Sequence, residues 1–182
     1  MFLKRYELLK SRNAKDWWTS TFGDPVSWML LAIIGDWKFI TPNLLTVLTF
    51  ISKIIASIFI AFGDRSMTIY GAILLQLGVL FDHMDGNLAR YRNDTTLRGG
   101  FMDRILDGTS ILFIFCGLSW HLHANGEPSY YLLMGPAIAS FYLIICYIYW
   151  SFAYYEKKIL GHSKTVHPGA KLLKNKNIST LK

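Results

Sequence analysis

The chain contains 182 residues, of which 52% are hydrophobic, 15% aromatic and 17% charged, with a formal net charge of +7. A charge fraction this low, combined with long apolar runs, excludes a typical soluble domain and indicates an integral-membrane protein. The positive charge would suit nucleic acid, but the basic residues lie at the ends of apolar segments, so no nucleic-acid partner is expected. The two cysteines, Cys116 and Cys146, lie far apart inside apolar stretches and are interpreted as buried hydrophobic residues.

The first predicted element is a short apolar segment at 25–37, which is too short to cross a membrane. Tryptophans surround it, so we expect a helix in the headgroup plane, with a fifth short span as the alternative. Four longer segments follow, near 42–63, 67–90, 98–120 and 129–156, each with the length of about 20 apolar residues that a transmembrane helix needs. The predicted fold is an all-α integral-membrane bundle of four long transmembrane helices with an N-terminal interfacial amphipathic helix.

Basic residues predict the orientation of the spans. Of the 19 Lys and Arg, six precede the first span, four lie at 90–104 and seven follow Tyr155, whereas the loops on the other side hold only Arg65. The positive-inside bias places both termini and the 91–97 loop in the cytoplasm. We expect a multi-pass protein of a bacterial cytoplasmic membrane. Its predicted parts are an interfacial N-terminal segment (1–40), a transmembrane domain (41–160) and a basic cytoplasmic tail (161–182).

Four aspartates lie at adjacent ends of the second and third spans: Asp82, Asp85, Asp103 and Asp107. A charge at the centre of a membrane helix costs about 2.5–3.5 kcal/mol on insertion scales, and less near an interface, so four together need compensation. Spacings of three and four residues place each pair on one face of its helix. Because the 91–97 connection is short, the two helices are predicted to be antiparallel neighbours, and the four carboxylates to converge at one depth.

Oxygen ligands without a nearby Cys or a convincing His favour hard cations such as Mg²⁺ or Mn²⁺. Two divalent ions would neutralise four carboxylates, and such a pair can clamp a diphosphate and stabilise its leaving group. One alternative is ion pairing with nearby arginines, which leaves Gly86, Ala89 and Gly99 on the same helix faces unexplained. Another is a cation-transport path, which should place polar groups across the full depth of the membrane rather than at one end.

Residues 82–107 read D-H-M-D-G-N-L-A-R-Y-R-N-D-T-T-L-R-G-G-F-M-D-R-I-L-D. This segment resembles the signature D-x2-D-G-x2-A-R-x8-G-x3-D-x3-D of the CDP-alcohol phosphotransferase (phosphatidyltransferase) family, with all eight fixed positions at the right spacing. So many constraints in one short segment make a specific signal, unlike a lone glycine motif. The resemblance extends back to the segment 41–46 (TPNLLT), which looks like the family's element opening its first span.

The resemblance implies an enzyme of phospholipid biosynthesis in which an acceptor hydroxyl attacks the phosphate next to the donor alcohol and CMP is released. It implies two bound Mg²⁺ or Mn²⁺ ions, with Asp82, Asp85, Asp103 and Asp107 as ligands and Asp107 also as the general base. The residues that would contact the CDP-alcohol are Asn43, Thr46, Gly86, Ala89, Arg90, Thr96 and Gly99. Candidate contacts to the acceptor or to a phosphate are Lys53, Arg98 and Arg104. For Lys53, inside the first span, local pairing or snorkelling is the alternative.

Members of this family typically have six spans, two more than the sequence indicates here, so the acceptor side of the site is the least defined. We expect a homodimer in which a second copy supplies the missing walls. Two substrate assignments stay open: a CDP-diacylglycerol donor with a polar acceptor, or a soluble CDP-alcohol donor with a lipid acceptor such as diacylglycerol. In both cases the expected partners are the CDP-alcohol donor, the acceptor alcohol and the lipid bilayer.

Overall fold

The computed structural model describes residues 19–160, with side chains described as far as Tyr155. The predicted amphipathic N-terminus and the predicted basic tail lie outside these described residues. Within them the protein is helical and has no strand. The elements are a π-helical turn (Thr19–Gly23), α1 (Asp24–Ile34), α2 (Pro42–Phe62), α3 (Arg65–Tyr91), α4 (Leu97–Ala124) and α5 (Tyr131–Leu160).

Four of the described helices, α2 to α5, are long and apolar enough to cross a membrane. Their bounds lie within a few residues of the four predicted spans. Helix α1 has 11 residues and is about 17 Å long, which is well short of a hydrocarbon core of about 30 Å. The prediction of an all-α fold with four helices of transmembrane length is therefore confirmed, and the length of α1 favours an interfacial helix over a fifth span.

Three of the helices begin at residues that cap their first turn. Thr41 Oγ1 accepts a hydrogen bond of 3.2 Å from the backbone N–H three residues later, and Pro42 then occupies the first turn of α2. Asp64 caps α3 in the same way at 2.8 Å, and Thr96 caps α4 at 3.0 Å. These side chains satisfy backbone donors that a helix leaves free, so each of these spans begins at a defined residue.

Small residues allow α2 to pack closely against both α3 and α4. A Cβ atom on Gly71 of α3 would lie 3.0 Å from the carbonyl oxygen of Ala56. On Gly117 of α4 it would lie 2.6 Å from the Oγ of Ser57 and 2.8 Å from its carbonyl oxygen. Ser57 also donates a hydrogen bond of 2.6 Å to the carbonyl oxygen of Phe113 on α4. Helix α2 is thus the central helix, with 44% of its apolar stretch buried, against 17% in α3 and in α4.

An apolar core fastens α1 to the end of the bundle that carries the aspartates. Trp28 and Leu31 of α1 pack with Leu45 of α2 and with Met84 and Leu88 of α3. All five side chains are buried. This cluster therefore packs α1 against both α2 and α3.

Arg92, just after α3, holds the loop between α1 and α2. Its guanidinium donates to the carbonyl oxygens of Gly35 at 2.6 and 3.0 Å, of Ile40 at 2.7 Å and of Trp37 at 2.8 Å. Loop carbonyls lack helix partners, and an arginine with its five N–H donors can satisfy several of them at once. The loop is therefore fixed directly before the first turn of α2, which contributes to the site.

Contacts divide the chain into two compact units between Ser140 and Phe141. The first contains α1 to α4 and the beginning of α5, where Gly135 lies directly against Phe115 and Ser119 of α4. The second contains the rest of α5. All residues of the candidate site lie in the first unit. The predicted three-part division of the chain stays a prediction.

Candidate active site

Three of the four predicted aspartates converge. Asp82 and Asp85 of α3 and Asp103 of α4 each offer a carboxylate oxygen, and these oxygens lie within 4.8 Å of one another. Helix α3 supplies two of them from one face because a spacing of three residues is close to one helical turn. Their convergence agrees with the sequence prediction, whereas their role as metal ligands stays a prediction.

The chemistry of this group fits a hard divalent cation. Mg²⁺ binds oxygen ligands at about 2.0–2.1 Å, so opposite ligands of one ion lie about 4.2 Å apart. Small side-chain rotations would therefore bring three oxygens that already lie within 4.8 Å of one another onto one ion. The group consists of carboxylates alone, a donor set that favours Mg²⁺ or Mn²⁺ over the softer metals.

Thr46 of α2 orients one of these carboxylates. Its Oγ1 donates a hydrogen bond of 2.6 Å to Oδ2 of Asp85. Both residues are buried, Thr46 being 6% and Asp85 7% exposed. Water has little access to replace the hydroxyl, so the bond fixes which oxygen of Asp85 faces the rest of the group.

Asp107 lies one helical turn beyond Asp103 and is paired with Lys53 of α2. The Lys53 Nζ and the Asp107 Oδ1 are 2.6 Å apart, with the lysine side chain 10% exposed and the aspartate side chain 34% exposed. Gly78 of α3 leaves room for the lysine stem, since a Cβ there would lie 3.0 Å from the Lys53 Cγ. Lys53 therefore points into the bundle and pairs across helices. Its charge offsets one of the four carboxylates and leaves the group anionic, which suits divalent cations.

A cavity of about 230 Å³ lies beside the aspartate group. Its walls come from the first turn of α2, the end of α3, the following loop and the start of α4. All seven residues that we expect to contact a CDP-alcohol line it: Asn43, Thr46, Gly86, Ala89, Arg90, Thr96 and Gly99. Asp85 and Asp103 line the same cavity. The carboxylates and the predicted nucleotide-contacting residues thus form one continuous site.

Arg90 is the arginine in the wall of this cavity, and Gly86 provides the space that its guanidinium occupies. A Cβ on Gly86 would lie 3.1–3.4 Å from the guanidinium atoms. The Nη2 atom of Arg90 donates a hydrogen bond of 2.8 Å to the Oδ1 of Asn87. A planar cation therefore lies in the cavity wall, and a guanidinium suits phosphate oxygens.

Comparison with known proteins places this geometry in a family. The model of the CDP-alcohol phosphatidyltransferase family matches residues 39–168, which include the aspartate group and the whole wall of the cavity. The chain belongs to this family. The matched stretch covers most of the 182 residues, including α2 to α5.

Individual relatives are similar over shorter stretches. The chain is 29% identical over 102 residues to the archaetidylinositol phosphate synthase of Pyrococcus horikoshii, which is 56% of this chain and 53% of that protein. It is 31% identical over 91 residues to the phosphatidylinositol phosphate synthase of Mycobacterium tuberculosis, 49% of this chain and 41% of that protein. It is 35% identical over 87 residues to the bifunctional IPC transferase and DIPP synthase of Aquifex aeolicus, 48% of this chain and 19% of that protein. The chain spans about half or less of the length of these relatives.

Two residues that were predicted to contact the acceptor or a phosphate do not line the cavity. Arg98 and Arg104 are exposed residues of α4 and are not among the residues that line the cavity. Their contact with acceptor or phosphate stays a prediction.

The sequence motifs did not indicate several residues that the structure places at or next to the site. Asp94, Thr95 and Gly100 line the cavity, and they occupy unconstrained positions of the family signature. Asp24 of α1 and Asn87 of α3 are buried and bonded to one another. In the sequence, Asp24 stands out only as a single carboxylate at the start of an otherwise apolar helix.

Proposed function

We propose that this chain transfers a substituted phosphoryl group from a CDP-alcohol to the hydroxyl of an acceptor alcohol and releases CMP, as a step of phospholipid biosynthesis. The main support for this proposal is that one cavity brings the predicted nucleotide contacts and the aspartates together. Its wall combines the seven predicted nucleotide contacts with two of the converging aspartates. Membership in the CDP-alcohol phosphatidyltransferase family supports the same reaction class.

The cavity wall suggests how the donor is held. Arg90 supplies a fixed positive charge for the diphosphate. Gly86 leaves the room in which this guanidinium lies. The small side chain of Ala89, also in the cavity wall, lets the nucleotide approach α3 beside it. Asn43 and Thr96 offer hydrogen-bonding groups from the starts of α2 and α4, and both lie next to Gly99.

Two divalent ions, Mg²⁺ or Mn²⁺, would be held by Asp82, Asp85, Asp103 and Asp107 and would neutralise the charge of the diphosphate as it breaks. Three of these carboxylates lie within 4.8 Å of one another, and Asp107 follows one turn later on α4. The buried Lys53 leaves the four carboxylates with an excess of three negative charges. Two divalent cations would then give the site a net positive charge, which favours a diphosphate.

Asp107 is the proposed general base. It takes the proton of the acceptor hydroxyl, whose oxygen forms a new bond to the phosphorus next to the donor alcohol. The bond from that phosphorus to the oxygen bridging to CMP breaks, and CMP leaves with the electron pair. The ion pair with Lys53, at 2.6 Å, holds one oxygen of Asp107 and so directs the other.

The names of the relatives favour a lipid-linked donor and a polar acceptor. Two of them are named as synthases of lipids that carry an inositol phosphate, namely archaetidylinositol phosphate and phosphatidylinositol phosphate. We therefore propose a CDP-diacylglycerol-like donor, with a soluble CDP-alcohol and a lipid acceptor as the alternative. Mass spectrometry of products from a panel of CDP-alcohols and acceptors, with the purified protein in lipid nanodiscs, distinguishes the two assignments. A panel that yields no CMP with any pair would overturn the proposal.

The proposed topology places the site and both termini on the cytoplasmic side, which the distribution of basic residues supports. A homodimer that completes the acceptor side is part of the proposal, and the mass of the solubilised protein by light scattering tests it. A monomer that is fully active would contradict it.

A further inference from the structure

A group of buried polar side chains connects α1 to α3 next to the cavity. Asp24 and Ser27 of α1 are 8% and 0% exposed, and Asn87 of α3 is 4% exposed. The apolar core of Trp28, Leu31 and their partners lies beside them and already fastens α1. Buried polar groups weaken a core unless they are fully hydrogen-bonded, so packing alone does not explain their presence.

The hydrogen bonds of this group form a chain that runs from Asp24 and Ser27 through Asn87 to Arg90. The Nδ2 of Asn87 donates to the Oδ1 of Asp24 at 3.1 Å and to the Oγ of Ser27 at 2.8 Å. Both amide protons of Asn87 are thereby used, which fixes the amide in one orientation. Its Oδ1 then faces Arg90 and accepts the hydrogen bond of 2.8 Å from Nη2.

Arg90 benefits from a fixed hydrogen-bond partner because its side chain is exposed. It is an exposed residue near the end of α3, and it is the cation proposed to meet the donor's diphosphate. A long side chain on a surface samples many rotamers, and holding it in one before the ligand arrives improves affinity without any new ligand contact. Asn87 supplies that hold from a position that is buried.

We propose that Asn87, oriented by Asp24 and Ser27, positions the guanidinium of Arg90 for the donor diphosphate. Helix α1 is thereby part of the donor-binding machinery although its own side chains do not line the cavity. Asn87 is a positioning residue that acts through Arg90. The inference rests on the proposed function to the extent that Arg90 binds the donor.

A double-mutant cycle tests this inference. Asn87→Ala should raise the KM for the CDP-alcohol about tenfold, the size expected for one hydrogen bond to a charged group, with kcat within about twofold of wild type. In an Arg90→Ala background, the same substitution should change the donor KM by less than about twofold. An equal effect of Asn87→Ala in both backgrounds would indicate a role in folding alone and would overturn the inference.

A second pair of variants covers the case in which Asn87→Ala does not fold. Asp24→Asn keeps an oxygen that accepts from Asn87 and should retain the wild-type donor KM, whereas Asp24→Ala should raise it. Asn125→Ala, at an exposed asparagine bonded to a backbone carbonyl, is the matched control and should change nothing. Wild-type kinetics in Asp24→Ala would overturn the inference alone. A wild-type protein that releases no CMP would overturn the proposed function and the inference with it.

Discussion

The hydrogen bond between Thr46 and Asp85 gives a prediction that separates metal binding from the rest of the site. Thr46→Val keeps the branched shape of the side chain and removes the hydroxyl. The Oδ2 of Asp85 then loses a donor at 2.6 Å. Because Asp85 is only 7% exposed, few waters can reach it to take the place of the hydroxyl, and those come from the cavity side.

The expected size follows from that burial. A hydrogen bond to a charged group is worth about 1.5–3 kcal/mol, and loss of the partner that orients a metal ligand costs about 10- to 100-fold in metal affinity. The two ranges agree, since each factor of ten corresponds to about 1.4 kcal/mol. Thr46→Val should therefore weaken Mn²⁺ binding by about 10- to 100-fold.

Mn²⁺ binding to the purified protein, followed by the electron paramagnetic resonance of the free ion, measures this directly in the absence of donor. Omitting the donor matters because Thr46 is also proposed to contact the nucleotide. Thr46→Ser retains the hydroxyl and should bind Mn²⁺ within about threefold of wild type. If Thr46→Val binds Mn²⁺ as tightly as wild type does, the Thr46 hydroxyl does not orient Asp85 as a metal ligand.

Two further substitutions test the packing and the partly buried ion pair. Gly117→Ala should lower stability by about 1–3 kcal/mol in thermal unfolding, because the new Cβ would lie 2.6 Å from the Oγ of Ser57. Gly100→Ala, also in α4 but with open space at its Cβ, should be at least as stable as wild type, since alanine favours a helix over glycine. Equal stability of the two variants would contradict the close packing of α2 and α4. Lys53→Met should reduce kcat for CMP release by at least about tenfold, since Asp107 then loses the partner that holds one of its carboxylate oxygens. Lys53→Arg should retain more of the rate than Lys53→Met, and wild-type turnover in Lys53→Met would remove this ion pair from the mechanism.

The spans and the aspartate group could be predicted from the sequence because local rules determine them. A run of about 20 apolar residues sets the length of each span, and spacings of three and four residues place carboxylates on one helix face. The family signature predicted many residues of the cavity wall, because its fixed positions lie on two consecutive helices, α3 and α4, near the loop that joins them.

The remaining parts of the site depend on contacts between residues far apart in the chain. Lys53 lies on the face of α2 that points into the bundle, but its position on that face could not identify Asp107, 54 residues later, as its partner. The bond between Asp24 and Asn87 joins residues 63 apart, and it depends on how α1 docks against α3. Such contacts follow from tertiary packing, which neither the hydrophobic pattern nor the motif encodes.

We propose above all that the aspartate site carries out metal-dependent transfer with Asp107 as the base. The most direct measurement compares CMP release from a CDP-alcohol and an acceptor by wild type and Asp107→Asn, with Mn²⁺ and after chelation. We predict release by wild type only with metal, loss of release in Asp107→Asn, and CDP binding by that variant close to wild type. Release that persists after chelation, or at the wild-type rate in Asp107→Asn, would contradict it.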